Sequence, residues 1–187
     1  MDYRKLGRTD LNVSAIALGT MTWGEQNTQA EAFEQIAYAK DAGINFIDTA
    51  EMYPVPPKAE TYATTERYIG NWFTERGDRA DWILASKIAG PGNGIDYIRD
   101  GNLKHNRTHI VQALDASLKR LQTDWIDLYQ LHWPERSTNF FGQLGYSHNA
   151  DEAFTPLEDT LEALDEQVRA GKIRHIGLSN EIPWGAM

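Results

Sequence analysis

Two periodicities divide the chain. Short apolar runs occur at 15–18, 45–48, 82–87, 125–132 and 173–178, each of strand length and each read as a buried strand. Between them, apolar residues recur at helical spacing. A helix over 28–42 carries Ala32, Phe33, Ile36 and Ala37; one over 64–76 carries Ile69, Trp72 and Phe73. A third over 107–121 carries Ile110, Ala113, Leu114, Leu118 and Leu121, and a fourth over 156–170 carries Leu157, Leu161, Leu164 and Val168. Thr28 with Glu31 three residues on predicts a capping box, and Gly43, Gly77 and Gly171 predict helix stops. Pro156 stands where a first-turn proline belongs, and 181–187 predicts the start of a further helix. Before all of these, 3–6 and 11–13 flank Gly7-Arg-Thr-Asp10, a hairpin signal.

Strand and helix therefore alternate, which predicts a parallel sheet with right-handed crossovers. Neither a G-x-G-x-x-G after the first strand nor a Walker loop is present, and Gly90-Pro-Gly-Asn-Gly94 has the wrong spacing for either. The fold class predicted is α/β, a (β/α)8 TIM-type barrel rather than a Rossmann domain, represented by the N-terminal hairpin and about five β/α units. One domain over 1–187 is expected, with the hairpin at 1–14 and an incomplete barrel over 15–187.

Composition narrows the class. With 187 residues, 41% apolar and 6 Trp, the chain has the material for a sizeable core. A net charge of -9 disfavours nucleic acid as a partner. Cys is absent, which removes disulfides and thiolate metal sites. No long apolar run is present, so no membrane span or leader is expected, and a cytoplasmic location follows. The sequons at Asn12 and Asn106 are then expected to be unused.

The strand ends carry the candidate chemistry. Asp48, Lys87, His132 and Ser179-Asn180 each close a different apolar run, and in a parallel barrel such ends meet on one rim. Tyr53 follows Asp48 in a stretch that Pro54, Pro56 and Pro57 keep out of helix. This set suits carbonyl reduction. Hydride reaching a carbonyl carbon leaves charge on oxygen, which needs a proton donor placed in advance. Tyr53 would be that acid. Lys87 would lower its pKa, Asp48 would pair with the buried Lys87, and His132 would orient the carbonyl oxygen.

At these residues the chain resembles a known family. Asn45-Phe-Ile-Asp-Thr-Ala-Glu-Met-Tyr53, Ala85-Ser-Lys87, Gln130-Leu-His132 and Ile176-Gly-Leu-Ser-Asn180 resemble, in order, the motifs of the aldo-keto reductases. The stretch 48–57 and the long loop 133–155 look most like the bacterial Tas-like branch. The resemblance implies a barrel with the hairpin as its bottom plug, NADPH as hydride donor, and reduction of aldehydes and ketones. It implies the catalytic tetrad Asp48, Tyr53, Lys87 and His132. It also implies cofactor contacts at Thr20, Met21, Asp48, Ser179 and Asn180, and no metal. The partner implied is a small-molecule carbonyl compound.

A barrel of this type takes about 250 residues, so about three strands with their helices are expected beyond this stretch, as in a truncated product or part of a longer chain. Exposed sheet edges then predict self-association or dependence on a partner. Two alternatives to a reductase stay open: a non-catalytic cofactor-binding regulatory module, as in potassium-channel β-subunits, and an inactive fragment lacking the C-terminal cofactor-binding half. Those subunits lack the histidine at position 132, which favours catalysis here. The substrate pocket is expected at Trp23, Tyr53, His132 and Trp133, with core capping as the competing role for the two tryptophans. Loop 133–155, with Phe140, Phe141 and Tyr146, is expected to shape specificity. His105 and His109 read as solvated surface, and Glu158, Asp159, Glu162, Asp165 and Glu166 as the wet face of a helix.

Overall fold

The computed structural model describes residues 1–139, 141 and 144–187, so Phe140 lies outside the described part. The chain opens with β1 (Tyr3–Lys5) and β2 (Asn12–Ser14), paired antiparallel with Tyr3 opposite Ser14. There follow β3 (Leu18–Gly19), α1 (Gln29–Asp41), β4 (Phe46–Asp48), α2 (Thr64–Arg76), β5 (Ile83–Ile88), α3 (Arg107–Leu121), β6 (Ile126–Leu131), α4 (Leu157–Arg169), β7 (Ile173–Leu178) and the short α5 (Pro183–Ala186). The five strands β3 to β7 form one parallel sheet in sequence order. A doubly wound sheet reverses its order at a switch point; a barrel does not. The order seen here is that of a barrel wall, with β3 and β7 at its two ends.

The local signals act through identifiable bonds. Thr28 and Glu31 form the capping box of α1, and Gly77 closes α2 with a left-handed φ of 65°. Asn106, read as a sequon, is the N-cap of α3: its Oδ1 accepts from the backbone N–H of His109 at 3.1 Å. Ile47, Leu84, Tyr129 and Ile173 of the sheet pack against Ile36, Ile69, Trp72, Leu114 and Leu164 of α1 to α4 in one core. Among the described residues, no helix is long and apolar enough to cross a membrane.

Three expectations change. The strand expected at 15–18 shrinks to Leu18–Gly19, because Ala15 donates instead to Asp2 O at 2.8 Å and Ser14 Oγ donates to Ile16 O at 2.6 Å. That ties 15–17 to the hairpin and leaves Ile16 exposed. Leu157 and Leu161, expected on the buried side of α4, are exposed, as are Ile176 and Leu178 on β7. The described chain places α3 against one flank of α4, and no other long helix lies beyond β7 to cover these side chains. His105 and His109 are buried, not solvated, near Glu135 and Arg99.

Helices α2 and α3 meet at Gly70. A Cβ there would lie 2.2 Å from the carbonyl oxygen of Arg120, which is backbone and cannot swing aside. Gly70→Ala should therefore cost roughly 3 kcal/mol of stability, the upper range for overpacking. A urea titration measures this, and an unchanged midpoint would show that the two helices have room to part.

Candidate active site

Parallel pairing brings the strand ends together. Asp48 lies opposite Ala85, and Lys87, Gln130 and Gly177 form a row across β5, β6 and β7. Residues in register across a sheet share a face, so the long side chains of Lys87 and Gln130 point to the side where Asp48 stands. Lys87 Nζ donates to Asp48 Oδ2 at 2.7 Å and to the carbonyl oxygen of Thr49 at 2.8 Å. A longer contact of 3.5 Å reaches the Tyr53 hydroxyl. Gln130 Nε2 approaches the other carboxylate oxygen of Asp48 at 3.5 Å.

His132 follows β6 and completes the group. Its backbone N–H donates to Ile88 O at 3.0 Å, and its ring meets that of Tyr53 edge-on, with centroids 5.5 Å apart. Asn180 Nδ2 donates to the His132 carbonyl oxygen at 2.8 Å and to Ser179 Oγ at 3.0 Å. The end of β7 is thus latched to the end of β6. Asp48, Tyr53, Lys87 and His132 share one mouth, with Ser179 and Asn180 at its side.

Other candidates sit elsewhere. Trp23 is wholly buried among Ala32, Ile36 and Ile69, with Nε1 donating to Gln35 at 2.9 Å. It fills the space under α1 and α2 and walls no pocket. Thr20 is also wholly buried, its hydroxyl donating to Asp48 O at 2.8 Å, while Met21 beside it is exposed. Trp133 is buried against Ile95, Ile98 and Leu103, and its Nε1 donates to Pro91 O at 2.8 Å, although its ring centroid lies 4.8 Å from that of His132. Phe141, which is exposed, lies near the mouth, 6.5 Å from His132 and 5.4 Å from Trp133 between centroids. Gln130 was not anticipated; its place opposite Lys87 is a matter of register, which a single strand does not reveal.

Electrostatics correct one expectation. The Tyr53 phenol is not lowered. Burial, with the Asp48 charge adding to it, pushes it up to about 12. Lys87 is held below its ordinary value by burial, against the pull of Asp48. Lys87 Nζ lies 2.7 Å from Asp48 but 3.5 Å from the Tyr53 hydroxyl. The ammonium is engaged first by Asp48, whose negative charge then opposes a tyrosinate beside it. His132 is pushed down to about 3 by burial and by the Lys87 charge, so its ring is neutral, and its Nδ1 makes no hydrogen bond among the described residues. The mouth therefore holds a protonated phenol, a neutral imidazole and a paired ammonium. Groups of these kinds can hydrogen-bond to, and protonate, an oxyanion. Among the described residues, no group of three His, Asp or Glu side chains is placed to hold a metal ion.

Comparison with known proteins agrees with this arrangement. Residues 15–187 match the model of the Aldo/keto reductase family. The protein Tas of Escherichia coli strain K12 is 52% identical over 187 residues, all of this chain and 54% of Tas. The fission-yeast (Schizosaccharomyces pombe) aldo-keto reductase yakc [NADP(+)] is 34% identical over 180 residues, 94% of this chain and 44% of that one. Among solved structures, a thermostable aldo-keto reductase in complex with the inhibitor epalrestat superposes with a TM-score of 0.70 at 32% identity, covering 98% of this chain and 56% of that one. The chain thus spans about half the length of the relatives it matches.

The neutral His132 carries a pH signature. Its folded pKa, about 3, lies below the ordinary 6.5. Between these values the unfolded chain binds a proton that the folded chain refuses, so stability falls as pH falls below 6.5. From pH 6.5 to 5 the loss is about 2 kcal/mol. His105, pushed down to about 4 by burial, adds a loss of the same sign. His132→Gln should flatten the slope of unfolding free energy in this window. A slope unchanged by the substitution would contradict a buried neutral ring.

Proposed function

The chain belongs to the aldo/keto reductase family, and on that premise we propose that it carries the catalytic half of an NADPH-dependent reductase of aldehydes and ketones. The observation that supports this most is the Tyr53 hydroxyl, 3.5 Å from a Lys87 ammonium that is itself paired with Asp48, beside the ring of His132. A structural ion pair needs neither the phenol nor the imidazole.

The nicotinamide end of the cofactor suits the donors present. Ser179 and Asn180 offer a hydroxyl and a carboxamide beside His132, and the carboxamide nitrogen already donates within the mouth. Met21, exposed after β3, is the neighbouring surface on the other flank. The reduced nicotinamide supplies a hydride. The name of the fission-yeast relative specifies NADP(+), which supports NADPH as the donor.

The chain's own groups do the rest. His132, neutral at physiological pH, donates its ring N–H to the carbonyl oxygen and fixes its direction. Tyr53, protonated because burial raises its pKa, gives its proton to that oxygen as negative charge develops. Lys87 faces the resulting tyrosinate from 3.5 Å, and Asp48 keeps the lysine charged in the buried setting. The acid is thus a weak one at rest, and the lysine acts on its conjugate base.

Tyr53→Phe should reduce turnover of a generic aldehyde by ~100-fold or more, the range for a general acid, while NADPH affinity, read by cofactor fluorescence, stays nearly unchanged. Lys87→Met should also remove most of the rate. Full activity in Tyr53→Phe would falsify the assignment; NADPH binding without any turnover in the unsubstituted chain would favour a binding module instead.

A further inference from the structure

We propose that the buried pair Glu51–Arg99 is a positioning device that holds Tyr53 against Lys87. The proposal rests on the reductase reading for its purpose, though its test does not. Tyr53 is carried on the short segment that follows β4. Thr49 N–H donates to Ala85 O at 2.9 Å and Glu51 N–H to Lys87 O at 3.1 Å, so the segment continues alongside β5 past the end of its strand. At Glu51 the side chain turns inward and is 1% exposed. Its carboxylate accepts from the Ala89 N–H at 2.7 Å and from Arg99 Nη1 at 2.6 and 2.5 Å. Arg99 Nη2 in turn donates to Ala89 O at 3.2 Å.

Both peptide groups of Ala89 are therefore held by this pair, and Ala89 stands two residues after Lys87. Glu51 stands two residues before Tyr53. A single carboxylate thus ties the acid's segment to the lysine's strand. On the far side of Tyr53, Val55 N–H donates to Met21 O at 2.8 Å, so the tyrosine is bracketed by two anchors. The arrangement carries a cost that plain packing would avoid. Arg99 and Asp100 adopt left-handed φ of 48° and 53°, uncommon for residues other than glycine. Two charges are also taken out of water, where apolar side chains would serve stability as well. Burial pushes the Glu51 carboxyl above its ordinary value, against the pull of the Arg99 guanidinium. The gain is positional: with the phenol at 3.5 Å from Lys87, a shift of the segment by an ångström ends the contact.

The test uses NMR of the whole chain without cofactor. In Glu51→Gln, the nuclear Overhauser contact between the Tyr53 and His132 rings should be lost, while that between Phe33 and Trp72, whose centroids lie 5.3 Å apart, should persist. The amides of Glu51 and Tyr53 should exchange about tenfold faster, as in local opening. The double variant Glu51→Leu/Arg99→Leu leaves no charge unpaired and guards against simple misfolding; it should lose the same ring contact and keep the same control. Retention of the Tyr53–His132 contact in either variant overturns the proposal. So does joint loss of both contacts in the two variants, because the pair would then support the whole core. A failed reductase reading shows instead as full activity in Tyr53→Phe and leaves these ring contacts as they are.

Discussion

The ion pair of Lys87 with Asp48 is the constraint on which the mouth of the sheet depends. An ammonium on a central strand, 5% exposed, is tolerated because a carboxylate on the neighbouring strand stands 2.7 Å away and a backbone carbonyl takes a second proton of the group. Removing one partner of such a pair leaves an uncompensated charge, which costs several kcal/mol. The pair therefore fixes how far β4 and β5 slide along each other. It also settles what the neighbouring groups are. Burial, with the Lys87 charge adding to it, holds His132 neutral, and burial, with the Asp48 charge adding to it, holds the Tyr53 phenol protonated. Both states follow from burial plus one charged neighbour, and both are the states a proton donor and a carbonyl orienter need.

Topology brings the remaining parts to that pair. Five parallel strands in sequence order carry their carboxyl ends to one edge, and the crossover helices pack on one side in the same order. Asp48 and Lys87 stand at or next to the last residue of β4 and β5, and His132 and Ser179 directly follow β6 and β7. Precision at the edge comes from bonds between neighbouring strand ends: Thr20 to Asp48, Glu51 to Ala89, Asn180 to His132. The exposed Leu157, Leu161, Ile176 and Leu178 mark the flank where β7 ends the described sheet.

Much of this was legible along the chain. Helices α2 and α3 fall where the apolar period places them, because their buried faces are wide and their stops are marked by Gly77 and the Leu121 end of the period; β7 falls where its apolar run lies, bounded by Ser179. The residues at strand ends were legible for the same reason: a polar group after an apolar run has few places to go. What was not legible depends on partners distant in sequence. Trp23 reads equally well as pocket wall or core until α1 and α2 are seen to close over it. His105 and His109 look solvated at a helix start, yet the fold buries both near Glu135 and Arg99. The direction of the Tyr53 shift could not be read, since it turns first on how deeply the fold buries the phenol and then on the Asp48 charge beside it. Glu51 was hidden inside a motif whose neighbours Asp48 and Tyr53 drew the chemistry.

The most direct measurement is the titration of Lys87 itself, by carbon NMR of chains carrying ¹³Cε-labelled lysine, in the unsubstituted chain and in Asp48→Asn. Lys87 should lose its proton at a pH below the ordinary lysine value, because burial disfavours its charge, and at a lower pH still once the Asp48 carboxylate is gone. If Lys87 titrates at the ordinary lysine value and ignores the loss of Asp48, the ammonium is neither buried nor paired at the mouth, and the gathering of the four groups around it is wrong.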